Sequence, residues 1–149
     1  MWGDGTLELA NDITAAPNLP PLPRLGLTLS LAEGFEQLSW FGRGPHECYR
    51  DRQEGAAVGI YHSTVSEQYV PYIMPQENGN HTEVRWLTLT NGNGLTLKVW
   101  GNPPLEMSAS HLSAADLTAA RHTYELDPRP ETILNLDFQQ SGLGGASCT

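Results

Sequence analysis

The sequence predicts an all-β fold: a mostly antiparallel β-sandwich with one short helix. Short segments in which apolar and polar residues alternate recur along the chain, as expected for half-buried strands. The 15 Gly and 11 Pro residues separate these segments in the manner of turns. One such break, Asn91-Gly92-Asn93-Gly94, is a strong hairpin signal, because Asn and Gly accept the positive φ that tight hairpin turns need.

The first predicted strand includes Leu7 and Leu9, which would share one face. Residues 15–23 follow and contain four prolines, which predicts a stiff linker to the rest of the domain. Four leucines that alternate with small or polar residues then predict a half-buried strand. They are Leu25, Leu27, Leu29 and Leu31.

Residues 82–90 and 95–100 flank the Asn-Gly run and are predicted to pair as a hairpin. A later strand is predicted at residues 132–138. Its apolar face would carry Leu134, Leu136 and Phe138. Among the large rings, Trp40 and Trp86 are expected in the core, because rings on short strands are usually buried.

One helix is predicted after Ser113. Residues 113–116 resemble a capping box, in which two side chains three positions apart satisfy each other's backbone N–H groups. Residues 117–121 continue this helix. Pro128 and Pro130 then favour an extended chain.

Two stretches, residues 42–52 and 69–80, lack helical and strand periodicity and predict ordered loops rich in Gly, Pro, rings and charges. In the first, Glu47 and Asp51 lie among arginines. They are Arg43, Arg50 and Arg52. Ion pairing with these arginines is therefore the favoured interpretation. Such pairing would lower the pKa values of the two carboxyl groups and prevent general acid catalysis. In the second, Tyr69 and Tyr72 are the rings expected at the surface.

A length of 149 residues is typical of one domain with a substantial core. The net charge of -9 argues against a nucleic-acid partner, whose phosphates would be repelled. No apolar run of about 18 residues occurs, so no membrane partner is expected. Cys48 and Cys148 are predicted to be free thiols in a reducing, cytoplasmic compartment. The five histidines lack metal-site spacing, and no metal site is predicted.

Four motifs in compatible order resemble the C-terminal domain of the large bacterial Leloir-type β-galactosidases of glycoside hydrolase family 2. The motifs are Leu22-Pro23-Arg24-Leu25-Gly26-Leu27, residues 40–52, residues 69–79 and Gly142-Leu143-Gly144-Gly145. The resemblance covers about residues 19–145. It implies a β-supersandwich similar to galactose mutarotase, with residues 1–149 forming the later part of a longer domain.

The resemblance also implies a function. The parent enzyme would hydrolyse terminal β-galactosides such as lactose, and its catalytic glutamates lie in a separate barrel domain. Its Mg and Na ions bind outside this segment. We therefore expect no catalytic residue and no cofactor here, and a scaffold role for a chain that is inactive alone. The partner would be the barrel, in the same chain or in another subunit, and the galactoside would be met only indirectly.

In the family, the run that matches residues 142–145 leads into a loop whose Trp forms part of the galactose platform. Gly144 and Gly145 are thus the expected approach to the active site. Here the chain continues as residues 146–149, Ala-Ser-Cys-Thr, without that Trp.

Two other classes stay open. A free carbohydrate-binding module would use Tyr72, Glu77, Asn78 and Arg85 on a concave sheet face, since carboxylate, amide and ring groups suit sugars. A mutarotase-like epimerase needs a glutamate base and a histidine acid facing one pocket. Glu77 with His81 is the nearby pair that the sequence offers.

A homodimer is a further prediction. The face formed by the four leucines of residues 25–31 would be uncovered in a shortened sandwich, and open strand edges pair readily. The chain would then dimerise, or bury this face against the strand at Leu7 and Leu9. The linker at residues 15–23 would allow that strand to swap between protomers.

Overall fold

A computed structural model of the chain describes residues 2–20 and 22–142. Six strands lie within these ranges: β1 (Arg24–Leu31), β2 (Phe35–Gly44), β3 (Ala57–Thr64), β4 (His81–Asn91), β5 (Thr96–Ser110) and β6 (Thr132–Gln140). They form one sheet in the order β1-β6-β5-β4-β2-β3. Every neighbouring pair is antiparallel. The predicted all-β, antiparallel class is confirmed, and the open sheet fits one layer of a sandwich.

The predicted strand at Leu7 and Leu9 is wrong. Residues 2–20 contain no strand, and the two leucines are 58% and 60% exposed. Their alternation spans only three residues, and no neighbouring strand offers ladder hydrogen bonds to it. β1 pairs instead with β6.

The strand at the four leucines is confirmed as β1, but its leucines have different surroundings. Leu29 and Leu31 pack against the core cluster, whereas Leu27 is 39% exposed. A register shift lies between Leu25 and Gly26, which pair with Gln139 and Asp137. The face on which the leucines were expected to lie together is therefore already partly occupied by the chain's own core.

The same register shift corrects the prediction for β6. Leu134 and Leu136 are buried as predicted, but Phe138 is 53% exposed. Phe138 is skipped in the pairing with β1, as in a β-bulge. A bulge reverses the inside–outside alternation, so Asp137 is buried next to it.

The hairpin is confirmed. β4 and β5 pair on either side of residues 92–95, and the Asn91 Oδ1 atom accepts hydrogen bonds from the backbone N–H groups of Asn93 and Leu95, each at 3.0 Å. β5 extends beyond the predicted residue 100 through Pro103 and Pro104. These prolines need no ladder N–H because they fall between paired positions, where the register with β4 shifts.

The core lies on one face of the sheet, which we call the inner face. Its largest side chains are at most 1% exposed: Leu38, Trp40, Leu87, Leu89, Met107 and Leu134. The prediction for Trp40 is confirmed. The prediction for Trp86 is wrong: it is half-buried on the other face, because strand alternation gives the inner position to its neighbour Leu87.

The short helix is confirmed as α1 (Ala114–Ala119), with Ser113 as its N-cap. The Ser113 Oγ atom accepts from the Asp116 N–H at 3.2 Å, and Asp116 Oδ2 accepts from the Ser113 N–H at 2.8 Å. Arg129 also binds the Asp116 carboxylate, at 2.6 and 2.9 Å. Two 3₁₀ turns, Ser66–Gln68 and Thr123–Glu125, complete the described helical segments.

The predicted loop at residues 42–52 begins three residues later than expected. Residues 42–44 are the end of β2, between β3 and Val84 of β4. A Cβ atom at Gly42 would lie 2.9 Å from Val84, and one at Gly44 would lie 2.8 Å from Tyr61. The two glycines thus allow close packing within the sheet. Because glycine has no side chain, this part of the strand shows no apolar alternation in the sequence.

Candidate functional site

The candidate site lies where two loops meet at one end of the sheet. Loop A is residues 45–56, between β2 and β3, and loop B is residues 65–80, between β3 and β4. Residues 69–80 contain no strand or helix, which confirms the prediction of a loop there. The charged and aromatic side chains of both loops contact each other and the ends of β1, β5 and β6.

Glu47 joins the two loops. Its side chain is 8% exposed, and its Oε1 atom accepts from Arg52 at 2.8 Å and from the Tyr72 hydroxyl. Its Oε2 atom accepts from the Gly79 N–H at 2.8 Å. A buried carboxylate requires such donors, since burial without them is costly. Glu47 therefore holds loop B against loop A.

The predicted ion pairing of loop A is confirmed for Glu47, with Arg52 as its partner. Arg43 and Arg50 pair outside the loop, with Glu83 at 3.2 Å and with Glu106 at 2.7 Å. The prediction is wrong for Asp51. This residue is exposed and has no ion pair within the described ranges, because the arginines beside it pair elsewhere.

A second ion-pair cluster links loop B to both strands of the β1–β6 pair. The Arg24 guanidinium donates to both Asp137 carboxylate oxygens, at 2.8 and 2.6 Å, and reaches both Glu77 oxygens at 3.3 Å. Asp137 is 1% exposed. Burial raises the pKa of Glu77, and the nearby Asp137 adds to this, while Arg24 opposes it.

Tyr49 lies between these clusters. Its hydroxyl is buried and has no hydrogen-bond partner among the described residues. Burial raises the pKa of Tyr49, and the negative charges of Glu47 and Glu77 raise it further. The ring also borders the end of the described chain: a Cβ atom at Gly142 would lie 3.5 Å from it. The backbone that leads to the predicted approach residues thus leaves the sheet beside Tyr49. Gly144 and Gly145 themselves lie outside the described residues.

A buried polar network fixes the base of the loops. Asn80 donates to the Cys48 carbonyl at 3.0 Å and to Glu106 at 3.2 Å, and accepts from Gln140 at 2.6 Å. Arg50 completes the network by donating to Glu106 at 2.7 Å. The network connects loop A, loop B, β5 and β6 through side chains that are buried, except that of Arg50, which is 50% exposed.

The four candidate sugar-binding residues are divided between loop B and β4. Tyr72, Glu77 and Asn78 all belong to loop B, but Arg85 lies elsewhere, with its guanidinium 5.2 Å from the Phe41 ring centroid. Arg85 belongs to β4 and follows a register shift at Val84. Whether any of the four contacts a sugar stays a prediction.

The contacts of Asn78 are made within loop B. Its Oδ1 atom accepts from the Val70 N–H at 3.1 Å, and its Nδ2 group donates to the Gln76 carbonyl at 2.9 Å. Such bonds close a loop on itself. A cavity of about 470 Å³ opens beside this loop. It is lined by Pro45, His46, Glu47, Arg52, Gly55, Glu67, Gln68 and Val70.

His81 faces the core and not this cavity. It is fully buried, with its ring centroid 4.4 Å from that of Trp40, and contacts the Gln68 side-chain amide at 2.6 Å and the Arg43 carbonyl at 3.1 Å. Burial lowers the pKa of His81 to about 4, so the ring is neutral at pH 7. Glu77 pairs with Arg24 instead. The geometry therefore does not place Glu77 and His81 in one pocket, as an epimerase would need.

The sequence interpretation did not foresee the contacts that Arg24, Glu106 and Asp137 make in the site. Arg24 had a usable signal, because it belongs to one of the four motifs. The burial of Asp137 had none, because Asp137 occupies a polar position in the alternation of its strand.

The described residues contain no helix of the length and apolarity that crossing a membrane requires. Within the same ranges, no three His, Cys, Asp or Glu side chains come together as metal ligands. Cys48 is a buried free thiol, and Cys148 lies outside the described residues.

Comparison with known proteins defines the class. The beta galactosidase small chain family matches residues 1–149, and the chain belongs to that family. The resemblance inferred from the four motifs is thereby confirmed.

Individual relatives agree with the family match. The chain is 43% identical to a β-galactosidase of Vibrio cholerae over 145 residues, and 35% identical to one of Priestia megaterium over 145 residues. It is 38% identical to a β-galactosidase of Streptococcus thermophilus over 142 residues. These alignments cover 95–97% of this chain but only 14% of each relative. The chain thus spans about one seventh of the length of the relatives it matches.

Proposed function

We propose that this chain is a C-terminal β-sandwich segment of a β-galactosidase, in which it acts as a non-catalytic scaffold that closes one side of the active site. The family match and the 14% share of the relatives support the larger enzyme. The observation that supports the scaffold role is the ion pairing of the carboxylates. The buried ones at the loop end each bind an arginine of this chain: Glu47, Glu77, Glu106 and Asp137.

These ion pairs are unsuited to glycoside hydrolysis. A retaining glycosidase needs two carboxyl groups about 5 Å apart, one protonated as the acid and one free as the nucleophile. Glu47 accepts from three donors, and Glu77 is bound by Arg24. Neither group is free to attack an anomeric carbon. The contacts of Arg24 favour a structural role, because breaking its buried pair with Asp137 would cost about 3–5 kcal/mol.

The scaffold would act by fixing where the chain leaves the sheet. Gly142 adjoins the Tyr49 ring, and Tyr49 is flanked by the Glu47 and Glu77 clusters. A rigid exit point there would direct the following segment, including Gly144 and Gly145, towards the catalytic barrel. Rigid support of a loop near reacting groups matters, because small displacements reduce catalysis.

The proposal includes the partners and location of the parent enzyme. The catalytic barrel, in the same chain or in a partner subunit, would bind this segment and would hold the catalytic glutamates. The parent would hydrolyse terminal β-galactosides such as lactose, with its Mg and Na ions bound outside this segment. It would work in the cytoplasm, where Cys48 stays reduced.

The test is a hydrolysis assay with a chromogenic β-galactoside. The natural product of the gene that encodes this chain, purified with any associated subunit, should release the chromophore, and the 149-residue chain alone should not. Release by the chain alone, abolished in both Glu47→Gln and Glu77→Gln, would contradict the scaffold role.

A further inference from the structure

The hairpin between β4 and β5 carries two of the three Asn-Gly pairs in the chain. They are Asn91-Gly92 and Asn93-Gly94, and the third is Asn78-Gly79 in loop B. An asparagine before glycine can cyclise, because the glycine nitrogen can attack the side-chain carbonyl carbon and glycine has no Cβ atom to obstruct the approach. The three pairs are chemically alike, so the structure around each pair decides which of them reacts.

We propose that Asn93 is a site of spontaneous covalent modification, at which the side-chain amide is lost and the backbone is converted to an isoaspartyl linkage. The reaction needs only water and hydroxide as co-reactants. The inference concerns the chemistry of the hairpin and does not depend on the proposed function.

The modification has two chemical steps. In the first, the Gly94 nitrogen loses its proton to hydroxide and forms a bond to Cγ of Asn93, while the bond from Cγ to Nδ2 breaks, so that ammonia leaves and a succinimide ring remains. In the second, water adds to one of the two ring carbonyl carbons and opens the ring. Opening at the main-chain carbonyl gives isoaspartate, and opening at the side-chain carbonyl gives aspartate. Either product adds one negative charge to a chain whose net charge is already -9.

Asn78 is restrained on both sides of the reaction. Its Oδ1 atom accepts from the Val70 N–H at 3.1 Å, its Nδ2 group donates to the Gln76 carbonyl at 2.9 Å, and the residue is 8% exposed. The attacking nitrogen, that of Gly79, donates to Glu47 Oε2 at 2.8 Å. Ring closure would break all three hydrogen bonds, so this pair is protected.

Asn91 is restrained through its side chain. Its Oδ1 atom accepts from the backbone N–H groups of Asn93 and Leu95, each at 3.0 Å. Its own N–H donates to the Leu95 carbonyl, also at 3.0 Å. Rotation of its Cγ atom towards the Gly92 nitrogen would break both side-chain hydrogen bonds, and these bonds hold the turn together. Asn91 should therefore react slowly although it lies in an exposed turn.

Asn93 has the fewest restraints of the three asparagines. It is exposed, and its side chain makes no hydrogen bond within the described residues. The attacking N–H, that of Gly94, makes one hydrogen bond, to the Asn91 carbonyl at 3.0 Å. Apart from chain neighbours, a Cβ atom at Gly92 or Gly94 would meet no heavy atom within 4 Å, so the tip of the turn is uncrowded. Exposed loop tips also open locally more often than core strands.

The modification would in turn alter the hairpin. The succinimide nitrogen carries no hydrogen, so the bond from Gly94 to the Asn91 carbonyl is lost while the ring persists. An isoaspartyl linkage then adds a methylene group to the main chain of a closely bonded turn. Both changes should loosen the bonds between Asn91 and Leu95, and amide exchange at Leu95 should be faster in the modified protein.

The test compares the three Asn-Gly pairs in the natural full-length gene product, native and unfolded in urea. Both samples are aged in mildly alkaline buffer, digested, and analysed by mass spectrometry with fragmentation that locates each product and distinguishes isoaspartate from aspartate. In urea the three pairs should react at similar rates. In the native protein we expect Asn93 to react first, with Asn91 and Asn78 at least about tenfold slower.

Asn93→Gln is the matched control. It keeps a side-chain amide but would need a larger ring, so the product at position 93 should disappear while the slow reactions at Asn91 and Asn78 persist. Three outcomes would overturn the proposal: a first product at Asn91 or Asn78, equal native rates at all three pairs, or an Asn93 as strongly protected in the native protein as Asn78.

Discussion

Arg24 and Asp137, 113 residues apart in the sequence, form a two-point ion pair across β1 and β6. Asp137 is 1% exposed, and the same guanidinium also binds Glu77 of loop B. One arginine at the start of the sheet therefore binds two carboxylates and ties loop B to the last strand. Such geometry suits arginine, whose planar fork donates along two directions at once.

Replacement of Arg24 should destabilise the chain strongly. Arg24→Met keeps the apolar stem but leaves Asp137 and Glu77 without their donor, so the free energy of unfolding should fall by about 3–5 kcal/mol. Urea unfolding followed by Trp fluorescence measures this. Arg121→Met is the control, since Arg121 is exposed and its side chain makes no ion pair within the described ranges. Equal losses in the two variants would show that the buried pair is unimportant.

Loss of the Tyr72 hydroxyl should loosen loop B. Tyr72→Phe removes one donor from the buried Glu47 carboxylate, and hydrogen bonds to charged groups contribute about 1.5–3 kcal/mol. Amide exchange should accelerate at Gly79, whose N–H binds the other Glu47 oxygen. Tyr124→Phe, at an exposed ring, should leave exchange unchanged. Unaltered exchange at Gly79 in Tyr72→Phe would argue that Glu47 does not hold the loop.

The pKa of His81 predicts a dependence of stability on pH. Its pKa is about 4 in the folded chain, below the ordinary value of 6.5, because burial penalises the charged ring. The unfolded chain then binds more protons between these values, so stability is lost as the pH falls from 6.5 towards 4. The loss from this one group is about 3 kcal/mol.

The contribution of His81 is isolated by comparison with His81→Gln. The difference in unfolding free energy between the two proteins should vary across this pH window and be constant above it. An NMR titration of the His81 ring checks the pKa directly. A ring that titrates near its ordinary value would refute the explanation.

Local signals in the sequence predicted the elements that depend on neighbouring residues. The hairpin at residues 91–94 and the cap of α1 at Ser113 each follow from side chains within a few positions. The face of Phe138 could not be predicted, because it depends on the register of β1 opposite Gly26, more than 100 residues away. The same holds for Trp86, because either face of a strand can be the buried one until the pairing of that strand in the sheet is known.

In the site, too, contacts between residues close in the sequence could be predicted, and contacts between distant residues could not. The ion pairing of Glu47 with Arg52 was predictable, because the two residues lie five positions apart. The pairing of Glu77 with Arg24 and of Glu106 with Arg50 was not, because loop closure over 53 and 56 residues decides it. The linker at residues 15–23 and the extent of the parent domain stay predictions.

Association of the isolated chain should depend on its exposed apolar side chains, among which Ile60 and Trp100 are each 59% exposed. Trp100→Ser should reduce any concentration-dependent rise in mass measured by light scattering, because it removes a ring that is 59% exposed. Leu27→Ser is the comparison on the β1 leucines, where Leu29 and Leu31 already pack in the core. A larger effect of Leu27→Ser would restore the β1 face as the dimer surface. A monomer at every concentration would leave no homodimer to explain.

The central claim, that this chain supports a β-galactosidase without catalysing the reaction itself, is tested most directly by complementation. The 149-residue chain and the remainder of the natural gene product are produced separately, mixed, and assayed with a chromogenic β-galactoside. The account predicts that neither part is active alone, that the mixture is active, and that Glu47→Gln together with Glu77→Gln leaves the chemistry possible but weakens assembly. Hydrolysis by the 149-residue chain alone, eliminated by those two substitutions, would contradict it.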